Sequence, residues 1–202
     1  MVVGVGPGSP DYLTPAAQAA VGAAEVILGG RQSLALFPDF PGEVQPLTAE
    51  LPKALAFLRE RAGRPVAVLL SGDPGFYSWL GQLRREFSPA ELRVIPGVSS
   101  LQVLAARGLV LWPGLHFFSL HGREEETWLG EVAKGQPVAL LTGPDWPPSR
   151  LAERLVKKGL GESPLLVGVD LTLPTERLWR GPARNYPGPD GPEGAVVIIG
   201  QI

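Results

Sequence analysis

Three short glycine-containing segments each follow an apolar run that has the length of a buried strand. They are residues 4–9 (GVGPGS), 71–78 (SGDPGFYS) and 96–100 (PGVSS). Glycine lets a bound molecule approach the backbone closely, because it has no side chain in the way. Ligands of open α/β sheets bind beyond the carboxyl ends of the strands. The sequence therefore predicts a small-molecule site made from these three loops.

Segment 71–78 contains the residue types that would hold a nucleoside. Asp73 could accept hydrogen bonds from ribose hydroxyls, and the aromatic pair Phe76 and Tyr77 could cover a flat ring. An alternative is a turn in which Asp73 caps the helix predicted over residues 77–86, a common local role for aspartate. Ser99 and Ser100 have a similar alternative, because serine is preferred at helix N-termini. The sequence leaves both alternatives open.

Residues 4–9 look like a dinucleotide-binding fingerprint, but two features argue against that interpretation. In such a fingerprint the helix opens directly from the glycines, so that its N-terminus faces the pyrophosphate. Here Thr14 and Pro15 predict a helix that starts several residues downstream. An acidic residue is also expected after the second strand, and that strand ends in two glycines and Arg31. A plain tight turn is the structural alternative.

Residues 119–123 (SLHGR) hold the candidates for acid–base chemistry. His121 could move a proton and Arg123 could anchor an anion, whereas a solvated surface pair is the alternative. The histidines His116 and His121 would point to opposite faces of an extended strand, so we predict no metal site. The absence of cysteine excludes disulfides, thiol catalysis, zinc–thiolate sites and iron–sulfur clusters.

The composition limits the class of protein. The chain has 202 residues, of which 45% are hydrophobic and 19% are charged, and this is enough apolar material for a core. A net charge of −2 argues against a general nucleic-acid-binding surface. The longest apolar runs have strand length and the N-terminus has no basic leader. We therefore expect a cytoplasmic protein with neither a nucleic-acid nor a membrane partner.

Apolar runs alternate with segments of helical spacing through most of the chain. That alternation is typical of a parallel sheet with crossover helices. We predict an N-terminal α/β domain over residues 1–109, a linker over 110–114 and a C-terminal α/β domain over 115–202. Near the end, the predicted strands 176–180 and 195–199 follow each other without a helix. We expect an antiparallel meander there, which would make the second sheet mixed.

Taken together, these segments resemble the tetrapyrrole methylase family of S-adenosylmethionine-dependent methyltransferases. The matching elements are VVGVGPGSPDYLT, LLSGDPGFYS, IPGVSS and VALLTG, in the family's order and over essentially the whole chain. GGRQSLALFP, SGDPGFYS and SLHGR are most similar to the branch that methylates carbon 5 of a precorrin in cobalamin biosynthesis. The resemblance implies two α/β domains with the active site in the cleft between them. It also implies a stand-alone enzyme, without the second domain that methylates carbon 15 and decarboxylates in fused members.

The resemblance further implies which residues bind S-adenosyl-L-methionine, which becomes S-adenosyl-L-homocysteine in the reaction. The GPG loop contributes a proline, and a serine stands where many members have the first glycine of a Gly-Gly-Asp loop. In the second domain, Thr142 matches a position whose backbone is expected to face the adenine. The implied cofactor-binding residues are Pro7, Ser71, Gly72, Asp73, Phe76, Ser99, Ser100, Thr142 and Ala195.

For the acceptor, the resemblance implies a precorrin with many carboxylates, which arginines are suited to bind. We name Arg31 and Arg123 as carboxylate anchors, and His121 as the residue that orients the substrate or moves a proton. The implied partners are a second copy of the chain and a separate enzyme that methylates carbon 15 and decarboxylates. Alternatives are another acceptor (a uroporphyrinogen, ribosomal RNA or the modified histidine diphthine), a nicotinamide-dependent oxidoreductase and a non-catalytic binding module. Whether the substrate carries cobalt is not decided by the sequence.

Overall fold

The computed structural model describes residues 1–48, 50–120, 126–188, 190–191 and 195–200. The chain divides into two compact units, Met1–Ser99 and Ser100–Ile202. Each unit is built around one five-stranded sheet.

The first sheet is formed by β1 (Val2–Gly4), β2 (Val26–Gly29), β3 (Glu43–Pro46), β4 (Val66–Leu70) and β5 (Val94–Ile95). All neighbouring strands are parallel, in the order β3-β2-β4-β1-β5. The carboxyl ends of the strands therefore lie at one edge, and the loops that follow β1, β4 and β5 start side by side. This parallel sheet confirms the sequence prediction for the first half of the chain.

Helices cover both faces of the first sheet. One face packs against α1 (Pro15–Gly22) and α2 (Arg31–Leu34), and the other against α3 (Leu51–Glu60) and α4 (Leu80–Glu86). Successive residues of a strand point to opposite faces, so the all-apolar central strands supply both cores. The first unit is therefore a three-layer sandwich in which the sheet lies between two layers of helices.

The start of α1 follows the predicted capping pattern. The Thr14 hydroxyl oxygen accepts a hydrogen bond from the Ala17 N–H at 3.1 Å, and Pro15 occupies the first helical position. A separate short turn of 3-10 helix, Pro10–Tyr12, stands between the first glycine loop and α1. The N-terminus of α1 is thus separated from the glycines, as the sequence predicts.

The second sheet is formed by β6 (His116–Ser119), β7 (Val138–Leu141), β8 (Pro164–Val169), β9 (Arg177–Pro182) and β10 (Ala195–Ile199). Its order is β6-β7-β10-β8-β9; β6 and β7 are parallel, and the other neighbours are antiparallel. The predicted mixed sheet is confirmed, but the predicted meander is wrong in its order. β10 lies between β7 and β8 and not beside β9. All its residues are apolar and buried, as expected for a strand with a neighbour at each edge and helices over both faces.

The helices of the second unit also lie on both faces of their sheet. Helix α5 (Ser100–Gly108) packs on β8 and β10, and α6 (Thr127–Ala133) and α7 (Pro148–Lys157) pack on the opposite face. The predicted end of the first domain at residue 109 therefore differs from the observed division, which places α5 with the second sheet. Within the described ranges, every helix is too short or too polar to cross a membrane.

Candidate functional site

Two of the three glycine-containing loops are joined by backbone hydrogen bonds. The Gly72 N–H donates to the Gly6 carbonyl at 2.8 Å, and the Gly6 N–H donates to the Gly72 carbonyl at 3.4 Å. Gly6 and Gly72 have φ angles of +79° and +69°, which glycine adopts without strain. The structure thus brings the loops after β1 and β4 together at the carboxyl edge of the first sheet.

Asp73 joins the third loop to the second. One carboxylate oxygen accepts a hydrogen bond from the Gly75 N–H at 2.7 Å, within its own loop. The other accepts from the Gly97 N–H at 3.1 Å, in the loop after β5. The side chain therefore closes a turn, as one alternative predicts, but it does not cap the following helix. Ribose binding by Asp73 stays a prediction.

The close approach of these loops depends on glycine. A Cβ atom at Gly4 would lie 2.6 Å from the Gly97 nitrogen, and one at Gly97 would lie 2.3 Å from the Gly72 carbonyl oxygen. Gly72 itself is different, because a Cβ there would meet the Ser99 Cα at 3.6 Å, an ordinary van der Waals distance. Apart from the chain neighbours of Gly72, no other atom of the described residues lies within 4 Å of that position. A bound molecule can therefore approach the backbone at Gly72.

The remaining cofactor candidates of the first unit lie on or next to these loops. Pro7 is half-buried between two glycines, Ser71 is exposed and Phe76 is half-buried. Ser99 is 7% exposed and lies next to the start of α5, whose first residue is Ser100. Pro7, Ser71, Phe76 and Ser99 thus belong to the three loops of this edge.

In the second unit, the candidates Thr142 and Ala195 are bonded to each other. The Thr142 hydroxyl donates to the Ala195 carbonyl at 2.9 Å and accepts from the Ala195 N–H at 2.7 Å. The Thr142 N–H also donates to the Ala195 carbonyl at 2.9 Å. Both residues are buried, with 6% and 7% exposure. The Thr142 hydroxyl is thus occupied by the protein, which leaves backbone groups for any contact with adenine.

Of the three residues predicted to act on the acceptor, one can be located. Arg31 is the first residue of α2 and follows β2, so it lies at the same edge of the first sheet as the glycine loops. Its side chain is exposed, and within the described part of the chain no carboxylate pairs with it. His121 and Arg123 lie outside the described residues.

The other histidine has a structural partner. His116 Nδ1 lies 3.4 Å from a carboxylate oxygen of Glu131 on α6. In the regions that the structure describes, no three histidine, aspartate or glutamate side chains come close enough to hold a metal ion.

The loop after β4 contains one feature that the sequence did not indicate. Tyr77 has a φ of +47°, its side chain is 46% exposed, and its ring meets the Phe76 ring nearly at a right angle. The predicted helix 77–86 begins only at Leu80, because a left-handed residue cannot belong to a right-handed helix. Glycine and asparagine signal a left-handed backbone in a sequence, but tyrosine does not.

Comparisons with known proteins agree with this arrangement. A family model described as tetrapyrrole (corrin/porphyrin) methylases matches residues 1–187. The cobalt-precorrin-7 C(5)-methyltransferase of Salmonella typhimurium is 33% identical over 200 residues, which are 99% of this chain and 98% of that protein. A precorrin-6Y C(5,15)-methyltransferase (decarboxylating) of a Sinorhizobium species is 32% identical over 167 residues, 82% of this chain and 40% of that protein.

A solved structure extends the likeness to the fold. The uroporphyrin-III C-methyl transferase of Thermus thermophilus, complexed with S-adenyl homocysteine, has a TM-score of 0.76. The match covers 99% of this chain and 96% of that one at 24% identity, so it is evidence for a shared fold.

Proposed function

The chain belongs to the tetrapyrrole (corrin/porphyrin) methylase family, and from that membership we propose that it methylates carbon 5 of a cobalt-precorrin in cobalamin biosynthesis. The methyl donor is S-adenosyl-L-methionine. The observation that carries the proposal is the end-to-end match with the C(5)-methyltransferase of Salmonella. The meeting of the glycine loops at one sheet edge supports it, because this is where a cofactor of an α/β sheet is expected.

The residues of the first unit fit such a cofactor. The backbone at Gly72 faces open space, and an exposed hydroxyl at Ser71 and a half-buried ring at Phe76 lie in the same loop. Asp73 holds that loop in shape through its bonds to backbone N–H groups. We assign cofactor binding to Pro7, Ser71, Gly72, Asp73, Phe76, Ser99, Ser100, Thr142 and Ala195.

Catalysis in this proposal is mainly a matter of position. When bound, S-adenosyl-L-methionine supplies an electrophilic methyl group for in-line attack by an electron-rich carbon. The loops hold their shape through the Gly6–Gly72 bonds and the Asp73 link, so little rearrangement is needed when ligands bind. Positioning of this kind accounts for a large part of the rate acceleration in such reactions.

Recognition of the acceptor is assigned to cationic side chains. Arg31 has no carboxylate partner in the described ranges, so its guanidinium can bind a carboxylate of the macrocycle. Arg123 is assigned the same role, and His121 is assigned to orient the acceptor or move a proton. The last two assignments rest on the sequence resemblance.

We also infer a homodimer. Leu109 and Leu111 are 91% and 82% exposed, and apolar side chains of this kind are often covered by a second subunit. Light scattering at micromolar concentration should give twice the chain mass of 21.4 kDa. A monomer under these conditions would contradict the inference.

A separate enzyme that acts on carbon 15 is the second partner that we propose. The Sinorhizobium relative is named for both carbon 5 and carbon 15, and the match covers only 40% of its length. The remaining part of that protein is therefore a candidate for the carbon 15 activity.

A nicotinamide-dependent oxidoreductase fits the same loops poorly. The 3-10 turn Pro10–Tyr12 and the capped start of α1 keep the helix N-terminus away from the first glycine loop. The residues that follow β2 include Arg31 where an acid would bind a ribose. A uroporphyrinogen, ribosomal RNA or diphthine acceptor is less favoured than a precorrin, because the end-to-end relative acts on carbon 5 of cobalt-precorrin-7.

Calorimetry tests the cofactor class. The protein should bind S-adenosyl-L-homocysteine and should not bind NADP under the same conditions. Incubation with cobalt-precorrin-7 and S-adenosyl-L-methionine should then add the mass of one methyl group to the tetrapyrrole. Binding of NADP alone, or no transfer by folded protein that binds S-adenosyl-L-homocysteine, would contradict the proposed function.

A further inference from the structure

Tyr77 combines an unusual backbone conformation with an exposed aromatic ring. It lies in the loop after β4, with a left-handed φ of +47° and a side chain that is 46% exposed. A left-handed backbone costs free energy for any residue other than glycine. Proteins keep such residues where the surrounding structure holds them, and many of these places are functional sites.

The loop fixes the backbone on both sides of Tyr77. The Phe76 N–H donates to the Asp73 carbonyl at 3.1 Å. On the other side, the Ser78 hydroxyl donates to the Pro74 carbonyl. These bonds constrain the backbone from which the Tyr77 side chain leaves the loop.

Leu109 and Tyr77 owe their left-handed backbones to different local structures. Leu109 has a φ of +55° and follows the last residue of α5. The Val110 N–H donates to the Ala105 carbonyl at 2.8 Å, which is a common way to end a helix. Tyr77 lies before the start of α4 and ends no helix, so its conformation comes from the bonds within its own loop.

The two aromatic rings of the loop offer different surfaces. The centroids of Phe76 and Tyr77 are 4.9 Å apart, and the ring planes meet at 74°. Phe76 is half-buried and is the proposed cofactor contact, whereas Tyr77 is the more exposed of the pair. A ligand that packs on the Tyr77 ring is therefore not the same group that packs on Phe76.

A tetrapyrrole has the chemistry that such a ring would recognise. Its pyrrole-derived rings pack on an aromatic face, and its carboxylates accept hydrogen bonds from a phenol hydroxyl. We propose that Tyr77 contacts the tetrapyrrole acceptor and contributes to its specificity. This inference rests on the proposed function, and it adds a residue from the cofactor loop to the acceptor side of the site.

Two substitutions separate the ring from the backbone. Tyr77→Gly removes the ring and the left-handed strain together, and Tyr77→Phe keeps the ring. We expect Tyr77→Gly to raise the KM for the tetrapyrrole about tenfold. Its unfolding temperature should stay within about 3 °C of wild type, because the relieved strain offsets the lost ring contact. Tyr77→Phe should raise this KM by a smaller factor, because it keeps the ring and loses only the hydroxyl that donates to a carboxylate, and both variants should bind S-adenosyl-L-homocysteine normally.

Asp170→Gly is the matched control. It relieves the same kind of backbone strain, at a φ of +52°, in a residue of the second unit that has no proposed role in binding or assembly. Its KM for the tetrapyrrole should equal that of wild type. A rise in KM for this control as large as for Tyr77→Gly would overturn the inference, because backbone strain and not the ring would then be responsible.

Absorbance titration with a stable polycarboxylated cobalt corrin distinguishes the inference from the proposed function. If wild type methylates cobalt-precorrin-7 and Tyr77→Gly keeps the wild-type KM and corrin affinity, the inference is wrong and the proposed function stands. If Tyr77→Gly instead unfolds early and loses S-adenosyl-L-homocysteine, Tyr77 is a structural residue and the inference is again wrong. If wild type binds S-adenosyl-L-homocysteine but neither binds the corrin nor methylates the precorrin, the proposed function fails first.

Discussion

Asp73 bonds to backbone N–H groups through both of its carboxylate oxygens. One partner, Gly75, belongs to the same loop, and the other, Gly97, belongs to the loop after β5. Hydrogen bonds to a carboxylate are stronger than those between neutral groups. Asp73 therefore holds its own loop in shape and links it to the loop after β5.

We expect Asp73→Ala to destabilise the protein and weaken cofactor binding together. Two N–H groups lose their acceptor, which should lower the free energy of unfolding by about 1–3 kcal/mol. Urea unfolding and calorimetry with S-adenosyl-L-homocysteine measure the two effects. Asp39→Ala is the control, because Asp39 is exposed and lies between α2 and β3. Equal free energies of unfolding and equal affinities for S-adenosyl-L-homocysteine in the two variants would contradict the role of Asp73.

Arg31→Ala should affect the acceptor and not the cofactor. Loss of one contact between a guanidinium and a carboxylate should raise the KM for the tetrapyrrole about tenfold, a difference of about 1.4 kcal/mol. Arg59→Ala is the control, because Arg59 pairs with Glu86 on the surface of the first unit. If steady-state kinetics give a wild-type KM for Arg31→Ala, then Arg31 does not bind the acceptor and the acceptor site lies elsewhere.

Tyr186 gives a pH dependence of stability at high pH. Burial, with a smaller effect of Asp190, raises the pKa of Tyr186 from 10.0 to about 12. The folded protein therefore keeps this proton between pH 10 and 12 while the unfolded chain loses it. Stability from this group is complete below pH 10 and falls as the pH rises towards 12.

Comparison with Tyr186→Phe isolates that effect. In wild type, phenolate absorbance should show a step near pH 12 that is missing in the variant. The wild-type loss of stability over this range should exceed that of the variant by roughly 1 kcal/mol, because solvent screens a half-exposed group. A wild-type step near pH 10 that is missing in the variant would instead show that Tyr186 has its ordinary pKa of 10.0.

At the scale of elements, Thr142 links the end of β7 to the start of β10. Its hydroxyl both donates to and accepts from the backbone of Ala195, and both residues are buried. β10 follows a glycine- and proline-rich stretch, so this link fixes where the strand begins. The sequence resemblance implies that both residues contact the cofactor. Because they are bonded to each other, a shift of one residue would also move the other.

Thr142→Val should destabilise the second unit far more than Thr142→Ser. Valine has no hydroxyl, so the buried Ala195 N–H would lose its acceptor at a cost of about 1–3 kcal/mol. Serine keeps the hydroxyl and therefore both bonds. Urea unfolding compares the two variants, and equal free energies of unfolding would mean that the hydroxyl contributes nothing.

Local signals account for the elements that the sequence predicted well. Thr14 and Pro15 predicted the start of α1 because a cap and a first-turn proline act within a few residues. The predicted strands 164–169 and 195–199 coincide with β8 and β10, because both are apolar runs bounded by glycine or proline. Predictions of this kind depend on a short stretch of chain alone.

Features that depend on distant residues were not predictable. The position of β10 between β7 and β8 is set by its pairing with two strands distant in the chain, and its own sequence does not specify those partners. The bond from Asp73 to Gly97 joins loops that follow different strands. The left-handed backbone of Tyr77 reflects bonds made by its neighbours, so a tyrosine gives no sign of it.

In the whole molecule, the match with the Salmonella C(5)-methyltransferase runs through the sheets of both units. The net charge of −2 is no obstacle to a polycarboxylate substrate, because recognition is assigned to individual arginines such as Arg31 and not to the overall charge.

The position of the transferred methyl group tests the central claim most directly. Purified protein would be incubated with cobalt-precorrin-7 and S-adenosyl-L-methionine carrying an isotope-labelled methyl group, and the label would be located in the product by NMR. From the proposed function we expect one labelled methyl group, on carbon 5. Label on any other carbon, or none in a protein that is folded and binds S-adenosyl-L-homocysteine, would contradict it.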